Sequence, residues 1–296
     1  MYGGTLLVRL RAIRHCKGFD LSALHSLAPP WFGQTAFVLV RPSHPGNVGA
    51  VARAMRTMGL RRLILVDPRE PEVLASAEAI ARASGAQDVL AEARCVASLD
   101  EALQDFTLAV AVSAAPREFG PPPQPPEPIV AAVRAELCAQ PQASAAFVFG
   151  TERTGLSVED AARCQLLCSI PGDPDYNSLN LAQAAQLLAY CLRSIDRLAP
   201  SGQVAVASFP LPHEGRRAPL GALEALFEHL EQALIEIGFL DPAHPKRLMP
   251  RLRRLFGRTR LEDEEVAILR GICTQIIKLA DGDIHGPRRE RRPDKR

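Results

Sequence analysis

The stretch AFVLVRPSHPGNVGAVARAMRTMGLRRLILV, residues 36–66, decides the fold. It opens on the apolar run 36–40 and closes on RLILV at 62–66, and neither run alternates between apolar and polar residues. Strands of that kind are covered on both faces, as in a parallel sheet. Between them a turn carrying Gly46, Asn47 and Gly49 leads into a helical pattern that reaches Met58. Strand, helix, strand is the right-handed crossover unit of an open α/β sheet.

The same alternation continues outward. Further apolar runs stand at LAVAVS (108–113), AFVF (146–149) and LLCSI (166–170), with a weaker strand near 94–96. Helical patterns fall between them at 76–83, 99–105 and 129–140. The segment 116–128, PREFGPPPQPPEP, holds seven prolines and reads as a loop, since proline continues neither a helix nor a central strand. Residues 1–34 show weak patterning and a Pro-Pro at 29–30; they read as an extension, poorly ordered or begun at a start placed too far upstream. At 199–219 Pro, Gly and Ser break the pattern, and strands do not return. This divides the chain into a catalytic-sized α/β unit over 35–198, a linker over 199–219, and a helical module and tail over 220–296. In the module Leu220, Leu223, Leu226, Phe227, Leu230, Leu234 and Ile237 share one helical face, and an acidic start at 262–265 leads into Val266, Leu269, Ile272, Ile276 and Leu279.

Composition narrows the class. With 47% hydrophobic and 23% charged residues in 296, the chain is an ordinary globular protein. The longest apolar candidate, Leu179 to Leu192, contains Asn180, Gln183 and Gln186 and does not read as a membrane span. The N-terminus lacks the apolar core and cleavage site of a secretory signal. Seven scattered cysteines, without a Cys-x-x-Cys pair or a Cys/His cluster, point to a reducing cytoplasm, mostly buried thiols and no metal. The net charge is only +2, but residues 246–260 carry seven basic side chains and no acidic one, and the last eleven residues carry six against two. A phosphate-seeking surface at the C-terminal end is expected, against the plainer reading of a solvated helix face and a frayed tail.

In an open α/β sheet the ligand lies beyond the carboxyl ends of the strands. Four such turns are unusual: RPSHPGNVGAVAR after the first strand, Ser113-Ala114-Ala115, FGTERTGL (149–156), and PGDPDYNSLNLAQAA (171–185). Neither a dinucleotide G-x-G-x-x-G nor a phosphate-binding G-x-x-x-x-G-K-[ST] is present, nor a G-x-S-x-G elbow or H-E-x-x-H pair, which removes support from hydride-transfer and hydrolase readings. Asn47 reads as a helix cap, Arg53 and Arg56 as neighbours at i and i+3, Ser178 as a second cap, and His44 as a solvated loop histidine.

The first, third and fourth of these turns resemble the three motifs of the SPOUT (SpoU-class) RNA 2′-O-ribose methyltransferases: NVGAVARAM (47–55), FGTERTGL (149–156) and IPGDPDYNSLNLA (170–182). Their order and separation agree with that family over about 36–198, and LRRLFGRTR (252–260) and EVAILRGI (265–272) are similar to its TrmJ-like branch. The resemblance implies an open, mostly parallel sheet with a C-terminal trefoil knot, S-adenosylmethionine as cofactor, tRNA as substrate, and a homodimer whose two chains complete each site. It implies ribose 32 of the anticodon loop as the methylated position. Ribosomal RNA, another tRNA position, or a non-catalytic RNA-binding role are the alternatives.

Carried over by the motifs, Arg53 is the essential arginine, Asn47 and Glu152 orient it or the substrate, and Ser178 and Asn180 complete the site. Cofactor contacts fall on Val112, Ser113, Ala114, Gly150, Ile170, Ser178, Leu179 and Asn180. A guanidinium does not serve readily as a base, so Arg53 is expected to clamp a phosphate or stabilise the developing alkoxide, the proton leaving to phosphate or water. The sequence departs from the TrmJ-like pattern after the fourth strand, where Ala115 stands in place of the usual arginine and Arg117 follows two residues later.

Overall fold

A computed structural model of the chain describes residues 28–114, 121–198 and 215–282. Residues 1–27, Ala115 to Arg117, most of the linker and the basic tail at 286–296 therefore lie outside the described residues.

Among the described residues seven strands form one sheet: Thr35–Val40 (β1), Arg62–Val66 (β2), Arg94–Val96 (β3), Leu108–Val112 (β4), Pro123–Gln124 (β5), Ala145–Phe149 (β6) and Leu166–Cys168 (β7). Their order is β3-β2-β1-β6-β4-β7-β5, and every pairing is parallel. The central strands are apolar because each face supports a different core. In β1, Phe37 and Leu39 enter one core while Ala36, Val38 and Val40 enter the other, the period-2 division of a strand buried on both sides.

The first core is covered by α1 (Pro45–Met58), α2 (Ala77–Ala83), α3 (Gln87–Ala91), α5 (Pro126–Ala139) and α7 (Leu181–Leu198). Here α1 approaches α2 so closely that a Cβ at Gly49 would stand 2.0 Å from the Ala79 carbonyl oxygen. The second core takes α4 (Leu99–Leu103), α6 (Val158–Ala162) and the C-terminal helices α8 (Leu220–Glu236), α9 (Leu248–Thr259) and α10 (Asp263–Ala280).

The C-terminal helices share the sheet's own core. Leu220, Leu223, Leu226, Phe227, Leu261 and Val266 belong to the same cluster as Val38, Ile64 and Ala109. The first amides of α8 bond to Phe106 and Gln104 carbonyls of the sheet unit at 2.8 and 3.1 Å. A buried ion pair joins Arg260, between α9 and α10, to Glu136 of α5, and Arg260 also donates to the Thr107 carbonyl at 2.7 Å.

Three expectations need correction. The proline-rich segment is not all loop: Pro123–Gln124 pair with β7 at the sheet edge, where a proline's missing N–H faces outward, and Pro126 starts α5 three residues before the expected helix. Pro30–Gln34, inside the segment read as an extension, form a 3-10 turn that buries Trp31 and Phe32 in the first core. On α10, Val266 and Cys273 point inward, while Ile272 and Leu279, expected on that face, are exposed.

Candidate active site

Strands β1, β6, β4 and β7 are consecutive neighbours and all parallel, so their carboxyl ends share one sheet edge. The four unusual turns of the sequence therefore meet there, which chain order alone does not reveal.

The turn after β6 folds back on itself. Thr151 and Gly155 exchange backbone hydrogen bonds at 3.1 and 2.9 Å, and Gly155 adopts φ +67. A Cβ at Gly150 would stand 2.0 Å from the Gly155 carbonyl carbon, so this reversal needs glycine at both positions. It carries Glu152 to the start of α1. There the carboxylate accepts from Ser43 N at 3.0 Å, Ser43 Oγ at 2.8 Å, His44 N at 3.2 Å and Asn47 Nδ2 at 3.1 Å.

Helix α1 begins at Pro45, two residues earlier than expected, with His44 at the N-cap, and no local side chain caps it. Asn47 is thus not the cap. The anion that satisfies this end comes from Glu152, 108 residues further along, where a helix start favours negative charge. Burial pushes the Glu152 carboxyl up, but the bonds from Asn47, Ser43 and the backbone outweigh it and hold the group below its ordinary range.

Asn47 uses its other side-chain atom as well: Oδ1 accepts from Asn180 Nδ2 at 3.0 Å. Asn180 in turn caps α7, taking the Ala182 amide at 2.9 Å while Gln183 Oε1 accepts from Asn180 N at 3.2 Å. These two bonds place Asn180, rather than Ser178, at the helix start. Ser178 is exposed, without a hydrogen-bond partner among the described residues.

Beside this network lies a cleft of about 330 Å³, lined by Val112, Ser113, Ala114, Gly150, Ile170, Ser178 and Leu179, all expected to contact cofactor. Glu152 lines it too, while Asn180 is turned to Asn47 instead. Sequence reading missed Phe149, Asn177, Leu181 and Ala184 in the same wall; the apolar ones looked like ordinary core residues. Backbone turns and apolar side chains in a cleft this size suit a nucleoside-sized ligand.

Arg53 is not brought into the cleft. It lies on α1, six residues from Asn47, which is about 9 Å along the axis and roughly 120° around it. Its side chain is exposed and has no hydrogen bond or ion pair among the described residues. Arg56, its expected neighbour, is committed to Asp88 at 2.8 Å, which also takes Arg61 at 2.6 Å. His44 is exposed and contributes its backbone amide.

Two family models match the chain. Residues 34–190 match the SpoU rRNA methylase family, and residues 221–285 match the C-terminal domain of the tRNA methyltransferase TrmJ. The chain belongs to the SpoU methylase family. Within it, the chain is 42% identical over 247 residues to the tRNA (cytidine/uridine/adenosine-2′-O-)-methyltransferase TrmJ of Pseudomonas aeruginosa, covering 83% of this chain and 94% of that relative. It is 44% identical to the tRNA (cytidine/uridine-2′-O-)-methyltransferase TrmJ of Pectobacterium atrosepticum, covering 82% and 97%. The crystal structure of TrmJ from Z. mobilis superposes with a TM-score of 0.68 at 31% identity, covering 82% of this chain and 98% of that one. Similarity to TrmJ thus extends through the C-terminal helices, as the LRRLFGRTR and EVAILRGI resemblance implied. Among the described residues no group of three or more His, Cys, Asp or Glu is placed to hold a metal ion, and no helix is long and apolar enough to cross a membrane.

Proposed function

We propose that this protein transfers a methyl group from S-adenosylmethionine to the ribose 2′-hydroxyl of tRNA, at position 32 of the anticodon loop. The observation that carries this reading is the Asn47 amide, which ties the motif turns of Glu152 and Asn180 together at the rim of the cleft. The SpoU model is described for ribosomal RNA, but the match at 221–285 is to a tRNA enzyme's C-terminal domain, and the relatives are named for tRNA. That favours tRNA over ribosomal RNA.

Val112 to Ala114, Gly150, Ile170, Ser178 and Leu179 would hold S-adenosylmethionine, which supplies an electrophilic methyl when bound. In the transfer the ribose oxygen would form the new C–O bond as the C–S bond breaks, the electron pair leaving with the thioether. The 2′-hydroxyl proton goes to the neighbouring phosphate or to water. Arg53 stabilises the developing negative charge or clamps that phosphate, and Asn47, Glu152 and Asn180 fix the start of the helix that carries it.

Arg53 lies outside the cleft lining and has no partner among the described residues, which supports its acting on a partner's cleft in a homodimer. Apolar side chains left exposed on and before α7, Leu179, Leu187 and Tyr190 at 42–52%, provide a surface for a second copy. The trefoil knot belongs to this reading, as does a cytoplasmic location with the tRNA pool. We assign methyl transfer to residues 35–198 and RNA binding to the C-terminal helical module, through the basic helix α9. Label from S-adenosylmethionine is expected in tRNA lacking ribose methylation; incorporation into ribosomal RNA alone would displace the tRNA reading. Mixing inactive Arg53→Ala protein with Ala114→Trp protein, whose cofactor cleft is filled, is expected to restore part of the activity if Arg53 serves the partner's cleft.

A further inference from the structure

A second cleft, of about 450 Å³, lies where α9 meets α6, between Val158, Ala162 and Pro122 on the sheet unit and Pro250, Arg254 and Arg258 on α9. We infer that it is a binding subsite for a nucleotide of the substrate RNA adjoining the one that is methylated; the inference rests on the tRNA reading above.

The charges at its mouth are unevenly committed. Arg163 is bound to Asp100 at 3.1 Å and faces Glu159, the one carboxylate of the lining, at 3.4 Å, and Arg253 is bound to Glu224 at 2.6 Å. Arg254 and Arg258 are exposed and have neither a hydrogen bond nor an ion pair among the described residues. They stand at i and i+4 on α9, so both guanidiniums project from one face, about 6 Å apart along the axis. Arg247 and Arg251 continue that face in the other direction, and all four are exposed. Helix α9 contains no acidic residue and no fully buried one. It is held by Met249, Phe256 and Arg253, whose guanidinium lies 4.5 Å from the Phe227 ring centroid. Arg254 and Arg258 are left to meet a ligand.

The occupant's chemistry follows from the two kinds of wall. A planar guanidinium pair matches phosphate oxygens, and Val158, 65% exposed, with Ala162 and Pro250 offers an apolar surface for a base or ribose face. Position favours the same RNA strand. Thr154 lines the first cleft and Val158 the second, so four residues, at most about 14 Å of extended chain, separate the two walls.

The test uses the full-length protein and unmodified tRNA, with KM for tRNA and tRNA affinity measured across salt concentrations. Arg254→Ala with Arg258→Ala is expected to raise KM for tRNA roughly tenfold and to reduce the slope of log affinity against log salt by about 1.4, two single-strand phosphate contacts. Val158→Trp, which fills the apolar part, is expected to raise KM with that slope unchanged. Affinity for S-adenosylmethionine reports that each variant is folded and is expected to stay at the wild-type value. If wild type methylates tRNA and these variants match it within twofold in KM and slope, the subsite is refuted and the functional reading stands. If wild type neither binds nor methylates tRNA, the functional reading falls and the subsite falls with it.

Discussion

Asn47 donates its side-chain amide to Glu152 Oε1 at 3.1 Å, joining the first helix of the sheet to a turn 105 residues later. The bond matters because Glu152 is the only carboxylate among the described residues that caps α1, and the same Asn47 holds Asn180 at the start of α7. The two turns that carry Glu152 and Asn180, both walls of one cleft, are thereby locked together through the start of α1. Asn47→Ala removes both bonds at a partly exposed site, at about 1–2 kcal/mol of stability. Asn47→Asp sets a second carboxylate against Glu152 and is expected to be the worse of the two in both melting temperature and methyl transfer, although it is nearer in shape. Equal behaviour of the two variants would show that charge at this contact is immaterial.

Glu152 also sets an acid limit. Its native carboxyl lies below the ordinary value of 4.5, so below that pH the unfolded chain takes up the proton first. The stabilisation is fully present above pH 4.5 and is lost as the pH falls through the native value. Chemical denaturation at pH 7 and near pH 3.5 is expected to show a loss for wild type and a smaller one for Glu152→Gln, which has no charge to lose at that position.

Arg53 separates catalysis from stability. Because the side chain is exposed and uncommitted, Arg53→Ala is expected to change stability by no more than about 0.5 kcal/mol. Methyl transfer is expected to fall by roughly a hundredfold to a thousandfold, the usual cost of removing a group that stabilises developing charge. Thermal melts beside single-turnover rates read both quantities on the same preparation.

The buried pair Arg260–Glu136 tests how firmly the C-terminal helices are fixed to the sheet. Arg260 is 4% exposed and Glu136 7%. Truncating either one leaves the other charge buried, at about 3–5 kcal/mol, whereas Arg260→Met with Glu136→Leu is expected to recover most of that loss. A double-mutant cycle by denaturant unfolding gives the coupling directly.

The central strands were legible because burial on both faces writes itself as continuous apolar sequence, as in 36–40 and 146–149. The two-residue strand Pro123–Gln124 was not, since its pairing depends on the position of β7 rather than on its own residues. The motif turns were legible, and the parallel sheet gathers them at one edge, although Arg53 stays outside the cleft. Local readings of single residues failed where a distant group took over the local task. Asn47 looks like a cap because the remote cap, Glu152, cannot be seen from neighbouring residues, and Ser178 looks like one although Asn180 with Gln183 performs that role. The tie between Arg260 and Glu136 spans 124 residues and leaves no periodic trace.

The central claim, a tRNA ribose methyltransferase built on the Asn47–Glu152–Asn180 network, is tested most directly by methyl transfer from labelled S-adenosylmethionine to tRNA lacking ribose methylation. Nuclease digestion and mass mapping then locate the product. A single 2′-O-methyl group at position 32 of the anticodon loop is expected, absent with Arg53→Ala. Cofactor binding without methylation of any tRNA, or a methyl group placed on a base, would contradict it.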